Sequence, residues 1–193
     1  MRLVLASGSA SRARLLADAG VDFIQDPADI DETALMRPGE PAALVARVLA
    51  EEKAKFVSRR HPGAPVLGGD SVLDFAGELV SKSAGLTAAR ALLTRLSGRT
   101  HAIVSAAALA RDGEIVWAHV GEGRLTMRAF GRDFLDAYLA AEGPAILASV
   151  GCYHLEGRGA QLFDKIEGDY FSILGLPLLP VLAALRQQGV LKA

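Results

Sequence analysis

Short apolar runs alternate along this chain with stretches of helical periodicity, and glycine, serine and proline punctuate them. Arg2 to Ala6 has the length and apolar character of a buried strand, and Ser7-Gly8-Ser9 follows as a tight polar turn. Ser9 then stands where a helix cap belongs. Leu15, Leu16 and Ala19 share one face behind it, and Gly20 is the stop. Glu40-Pro41 opens a second helix, because the missing proline N–H has no partner in a first turn. Leu44, Val45, Val48 and Leu49 recur there at helical spacing, with Glu51, Glu52, Lys53 and Lys55 among the polar positions. Val66-Leu67 leads into Gly68-Gly69-Asp70-Ser71 and on to Val72-Leu73. Ala76-Gly77 separates that run from Leu79-Val80 and predicts a hairpin. Thr87 to Leu96 reads as a helix ended by Ser97-Gly98. Thr100 to Ala110 and Glu114 to Met127 read as strands around the strong hairpin signal Asp112-Gly113. Phe134 to Ala141 is a short helix ending at Gly143-Pro144, and Leu178 to Gln187 a last one ended by Gly189. Strands alternate with helices but also with hairpins. That predicts an α/β fold with a mixed sheet over a strictly doubly wound one.

Length and composition narrow the picture. The 193 residues suit one domain spanning 1–193, or two tightly packed lobes. With 51% hydrophobic and 22% charged residues, a mainly disordered chain is excluded. The net charge of −1 lacks the basic excess of a dedicated nucleic-acid binder, so no stable nucleic-acid complex is expected. Cys152 is the single cysteine, which rules out an intrachain disulfide and a cysteine-based zinc cluster. A cytoplasmic location is the expectation from that usage. The N-terminal apolar run is too short for a secretory signal. The uncharged stretch Tyr170 to Leu185 is shorter than the ~20 residues of a membrane helix, and Pro177 and Pro180 interrupt it.

Candidate chemistry sits in a few places. The Ser7-Gly8-Ser9 loop before a helix could cradle an anion on free backbone N–H groups, with Arg12 and Arg14 nearby to grip phosphate; it could equally be an ordinary capped helix. Gly68-Gly69-Asp70-Ser71 could present an acid at the end of a strand, to hold a metal or take a proton from water; a turn aspartate bonding its own backbone is the plainer reading. Asp29, Asp31 and Glu32 form an acidic cluster that could add a metal ligand or could simply be solvated. Lys53 and Lys82 could meet phosphate or only aid solubility. The glycine-rich segment Gly151 to Ala160 could let backbone approach a flat base, or could be a tight turn. His101, His119 and His154 show no metal-ligand spacing and read as structural. Cys152 reads as a small buried hydrophobe.

In order along one chain, these segments resemble the Maf family of nucleoside triphosphate pyrophosphatases. The resemblance is carried by LASGSASRARLLADAG (5–20), DIDET (29–33), LVARVLAEEKAKFV (44–57), LGGDSVLDFAGELVSKS (67–83), ALLTRLSGRTH (91–101) and GCYHLEGRGAQLFDKIEGDYFSILGLPLL (151–179). It implies an elongated mixed sheet with flanking helices like that of inosine triphosphatases, with two lobes around a cleft. It implies hydrolysis of a nucleoside triphosphate to monophosphate and pyrophosphate with a divalent cation, Mg²⁺ or Mn²⁺, and a homodimer. Asp70 falls at the position of the family's proton acceptor. Ser7, Ser9, Arg12, Glu32, Lys53 and Lys82 are then the expected substrate contacts, and Asp70 and Glu32 the expected metal ligands.

Some positions depart from the family pattern. Ser9-Ala10-Ser11-Arg12 stands where the family has Ser-Pro-Arg-Arg, Asp70-Ser71 where it has Asp-Thr or Asp-Gln, and Ser81-Lys82-Ser83 where it has Gly-Lys-Pro. Ser11, Ser71 and Glu156 fall at positions linked to base choice. Glu156 leans toward the 7-methyl-GTP branch, since a carboxylate can accept two N–H bonds from a guanine edge. Two other readings compete: a nucleotide-binding regulator of cell division or stress response without turnover, and an enzyme releasing orthophosphate.

Overall fold

In the computed structural model, which describes residues 2–35 and 39–192, the opening strand, loop and helix fall where the apolar pattern puts them. Strand β1 (Leu3–Leu5) runs into the Ser7–Ser9 loop and helix α1 (Ala10–Asp18). Ser9 caps that helix by accepting the Arg12 amide at 3.4 Å, and Gly20 leaves it at φ +73°. Strand β2 (Phe23–Gln25) and the one-turn helix α2 (Glu32–Leu35) follow. Helix α3 (Ala42–Ser58) is the longest, at 17 residues. Pro41 lies one residue before it, and the Pro41 carbonyl accepts the amides of Leu44 and Val45.

The next segment departs from expectation. Val66 to Phe75 is one unbroken ten-residue strand, β3, and the Gly68-Gly69-Asp70-Ser71 run lies inside it. Asp70 pairs with Ala106 in mid-strand, so it is neither a turn residue nor a strand end. Hairpin strand β4 (Glu78–Val80), helix α4 (Leu86–Leu96), strands β5 (Thr100–Arg111) and β6 (Glu114–Met127) and helix α5 (Arg132–Glu142) match the predicted elements closely. Asp112 and Gly113 have φ of 53° and 87°, the pair of positive values that a two-residue type I′ hairpin requires. A 3₁₀ turn over 143–148 prolongs α5, a second spans 158–162, and β7 (Phe163–Gly168), α6 (Tyr170–Ile173) and α7 (Leu178–Gln187) complete the chain. The sequence reading missed β2, α2, β7 and α6, all short and without a clean period.

The strands form one mixed sheet in the order β2-β1-β3-β5-β6-β7, with β4 on the outer half of β3. β2, β1 and β3 are parallel, whereas β3, β5, β6 and β7 are antiparallel. Strand alternation sorts the core. One face of β3 and β5 carries Val72, Val104, Ala106, Ala108 and Ala110 against Val45, Ala46, Leu49, Ala50 and Ala54 of α3. The other face carries two separate apolar clusters. Leu67, Ala107 and Leu109 pack with Leu16 of α1 and Val181 and Leu185 of α7. Leu73, Phe75 and Ile103 pack with Leu92, Leu93 and Leu96 of α4 and Leu135 and Leu139 of α5. Between the clusters, on the same face, stands the cross-strand pair Ser71 and Ser105. The two clusters mark two lobes, and the cleft beside them is lined by Ser71 and, from the α3 side, by Asp70 and Lys53. No helix among the described residues is long and apolar enough to cross a membrane.

Close approach at Gly68 sets the α3 layer. A Cβ there would lie 2.7 Å from the Ala54 amide nitrogen and closer still to the Ala50 carbonyl oxygen. Gly123 plays the same part on β6, where a Cβ would meet Ile173 of α6. We expect Gly68→Ala to destabilise the chain by about 2 kcal/mol or more, roughly 4–8 °C in Tm, since rigid backbone rather than a flexible side chain must yield. A thermal melt within 1 °C of the parent would show that α3 is not seated by this contact.

Candidate active site

The anion-cradle reading starts with the α1 N-terminus. The Ser7-Gly8-Ser9 loop and the first turn of α1 open into a cavity of about 790 Å³ between the lobes. Arg12 leaves the helix there and is only 8% exposed. Its Nε donates to the Gly175 carbonyl at 2.8 Å, Nη1 to Ser7 Oγ at 3.0 Å, and Nη2 to Ser71 Oγ at 2.9 Å. A guanidinium has five N–H donors, so two directions remain for a ligand. Burial lowers the Arg12 pKa from its ordinary value, while the charges of Asp70 and Glu32 oppose that shift. The serine chain behind it has a defined polarity. Ser105 Oγ donates to the Ser172 carbonyl at 2.6 Å, so the 2.7 Å contact between Ser71 and Ser105 is a donation from Ser71. Ser71 is then the acceptor for Arg12. Arg14, by contrast, is exposed and pairs with Asp18 at 3.5 Å, outside this cavity.

The opposite wall is an ion-pair triad. Lys53 Nζ lies 2.6 Å from Asp70 Oδ1 and 2.7 Å from Glu32 Oε1. The Lys53 and Asp70 side chains are each 10% exposed, whereas that of Glu32 is 50% exposed. Two charges this deeply buried persist only when paired. Asp70 Oδ2 makes no hydrogen bond to a protein group among the described residues. Asp31 does not join the triad: its Oδ1 accepts the amides of Thr33 and Ala34 and caps the one-turn helix α2. Asp29 is exposed and lies outside the cavity.

Ten of the singled-out residues line this one cavity: Ser7, Ser9, Ser11, Arg12, Glu32, Lys53, Asp70, Ser71, Lys82 and Glu156. Lys82 is exposed on the loop after β4 and makes no ion pair among the described residues. Glu156 is exposed on the segment that carries Tyr153 and His154. Two of the three glycines of that segment are taken up by contacts within the protein. A Cβ at Gly151 would run into the Tyr153 ring and one at Gly159 into the His154 backbone, so these two serve a tight turn, while Tyr153 to Glu156 line the cavity. Cys152 is fully buried at φ +56°, and burial raises its thiol pKa. Sequence reasoning missed the Gly175 carbonyl and Ser105. A carbonyl has no sequence signal, and Ser105 could have been found only as a polar break in the apolar run Ala102 to Ala110.

Fold and site together define an α/β protein with a charged cleft beside a helix N-terminus, an arrangement for anionic ligands. The Maf-like protein family matches residues 2–188, and the chain belongs to it. It is 50% identical to the 7-methyl-GTP pyrophosphatase of Mesorhizobium japonicum, over 98% of each chain. It is 48% identical to the nucleoside triphosphate pyrophosphatase of Granulibacter bethesdensis over 99% of each. The 7-methyl-GTP pyrophosphatase of Brucella abortus biovar 1 is 47% identical over 97% of this chain and 96% of its own. Among solved structures, a HAM1 protein from Coxiella burnetii aligns with TM-score 0.42 and 19% identity over 68% of this chain and 75% of that one.

His101 supports the cavity from behind. It is 3% exposed, and its Nε2 lies 2.7 Å from the hydroxyl of Tyr153, which lines the cleft. Burial pushes its pKa down from 6.5 to about 4. The folded chain therefore refuses a proton that the unfolded chain takes below pH 6.5. The stabilisation is complete above that pH and is lost as pH falls toward 4, by about 3 kcal/mol in all. Denaturant titrations from pH 7 to 4 should show this slope, and it should be missing in His101→Gln. An equal slope in the variant would assign the acid lability elsewhere.

Proposed function

We propose that this cleft hydrolyses a nucleoside triphosphate at the α–β phosphoanhydride, releasing the monophosphate and pyrophosphate as a house-cleaning activity. The observation that carries this reading is the buried Lys53–Asp70 pair facing the α1 N-terminus across one cavity, in a chain half identical to pyrophosphatases. The substrate we favour has a guanine-type base, 7-methyl-GTP in particular. Glu156 on the cavity wall supports it, as do the names of two relatives.

The reaction needs an activated water, a positioned triphosphate and an outlet for charge. Asp70 Oδ2 takes the proton as the water oxygen bonds to phosphorus, and the bridging P–O bond breaks with its electron pair leaving on the departing group. Lys53 donates to the other oxygen, Oδ1, and keeps Asp70 aimed. The α1 N-terminus, Ser7 and Ser9 orient phosphate oxygens, with the remaining Arg12 donors behind them. Lys82 closes over the phosphates from the β4 loop.

A divalent cation fits these residues. The charges of Arg12, Lys53 and Lys82 are formally balanced by Glu32, Asp70 and Glu156 on the same cavity, so the charge of a triphosphate is left unmatched. No group of three candidate protein ligands occurs among the described residues. Mg²⁺ suits that situation, since it binds through one or two carboxylates plus substrate phosphates and keeps its waters. Asp70 and Glu32 would hold it, and when bound it supplies charge neutralisation on the phosphates.

Two experiments test the assignment. Asp70→Asn should lose at least ~10²-fold in kcat while nucleotide binding stays measurable, with product identified as pyrophosphate. Near-normal turnover in the Asn variant would remove Asp70 as the base, and release of orthophosphate would replace the reaction class. Lys82→Ala should raise KM or lower kcat by roughly tenfold, as expected on losing one charge-assisted contact to phosphate. Unchanged kinetics would return Lys82 to a solubilising role.

A further inference from the structure

A second cavity of about 380 Å³ opens beside the first. The apolar part of its wall is Leu15, Tyr170, Phe171, Leu174 and Leu178. Ser11, Glu156 and Leu174 line both cavities, so the two meet at these residues. Tyr170 is 45% exposed, an unusual standing for an aromatic side chain with an apolar wall around it.

We infer that this hollow is an extension of the nucleotide site that takes an apolar or aromatic substituent carried on the edge of the base. The inference rests on the proposed function and deepens it. Phosphates belong at the other end, beside Lys53, Lys82 and the α1 N-terminus, and the Glu156 carboxylate repels them from this one. The base therefore lies toward Glu156, and whatever projects from its edge past Ser11 and Glu156 enters the hollow. Apart from Ser11, Arg14, Asp18 and Glu156 the lining is apolar, so an apolar substituent gains there by burial. The volume is roughly ten times the ~30 Å³ share of one water, more than a methyl group fills. A 7-alkylated guanine also carries positive charge on its ring. Glu156 attracts it, and the faces of Tyr170 and Phe171 suit it. The charged pair Arg14–Asp18 stands at the border of the hollow and marks its polar limit.

Comparing substituents of equal charge isolates the hollow. The full-length chain is assayed for kcat/KM on GTP, 7-methyl-GTP and 7-benzyl-GTP. Each methylene-sized unit buried in an apolar site adds about fourfold, so 7-benzyl-GTP should exceed 7-methyl-GTP by about tenfold or more. Ala19 borders the hollow but not the larger cavity. Ala19→Trp, which fills the hollow, should abolish the benzyl advantage and leave GTP within about twofold. Tyr170→Asp, at an exposed wall position, should do the same by placing a charge there, and thermal melts of both variants verify folding. A benzyl substrate tenfold poorer than methyl, or an advantage that survives both variants, overturns this inference alone, because GTP is still cleaved. No turnover of any of the three nucleotides overturns it together with the pyrophosphatase reading.

Discussion

Everything at the charged end of the cleft depends on how closely α3 lies on the sheet. At Gly68 the strand presents no side chain, and the helix backbone at Ala50 and Ala54 takes the space. The rest of that contact is also built from small residues, Ala46, Ala50 and Ala54 on the helix and Ala106, Ala108 and Ala110 on β5. A helix so close leaves no water layer around the Lys53 stem. Its ammonium must find partners inside the protein, and Asp70, two residues beyond Gly68 on the same face of β3, is the one it meets. The glycine and the acid are therefore one device. The first lets the lysine in, and the second makes its burial tolerable.

The opposite face of the sheet uses the reverse tactic. There the apolar surface is interrupted by the hydroxyls of Ser71 and Ser105, and α6 covers the second of them through the Ser172 carbonyl. Arg12 fills the gap from α1 and ties together three segments distant in sequence: the Ser7 loop, β3 at Ser71 and the turn after α6 at Gly175. The α6 turn reaches that position because Gly121 and Gly123 of β6 present no side chain beneath Ser172 and Ile173. Arg12 thus orients the Ser7–Ser9 loop through bonds within the protein, and a lysine could not replace its planar three-way grip.

Periodicity exposed the long helices and the hairpin strands because each buries one face repeatedly over ten or more residues. It failed where burial is two-sided or brief. β3 reads as two fragments around a polar insert, since two glycines and an aspartate suppress its apolar signal. In the fold those residues keep strand geometry because β5 pairs with every one of them. β7 is exposed over most of its length and α6 has four residues, so neither carries a pattern. The site residues were visible only as types: a serine loop, an acid after glycines, isolated lysines. Their convergence on one cavity depends on register and on α3 seating, which are long-range properties. The family resemblance supplied the grouping that spacing alone could not.

Burial grades the three charges of the triad, and the grading decides which pairing is firm and which is exchangeable. Lys53 and Asp70 are nearly sealed, and separating them would leave an uncompensated charge inside the protein, at a cost of several kcal/mol. Glu32 is half exposed, so water screens its pairing with the same ammonium and the contact is worth far less. It also sits on a one-turn helix with no buried residue, held to the body by Lys53 and by the packing of Leu35 on the α3 cluster. Of its two carboxylate partners, Lys53 therefore gives up Glu32 more readily than Asp70. The inner pair keeps the acid aimed throughout, and the outer carboxylate is the exchangeable partner.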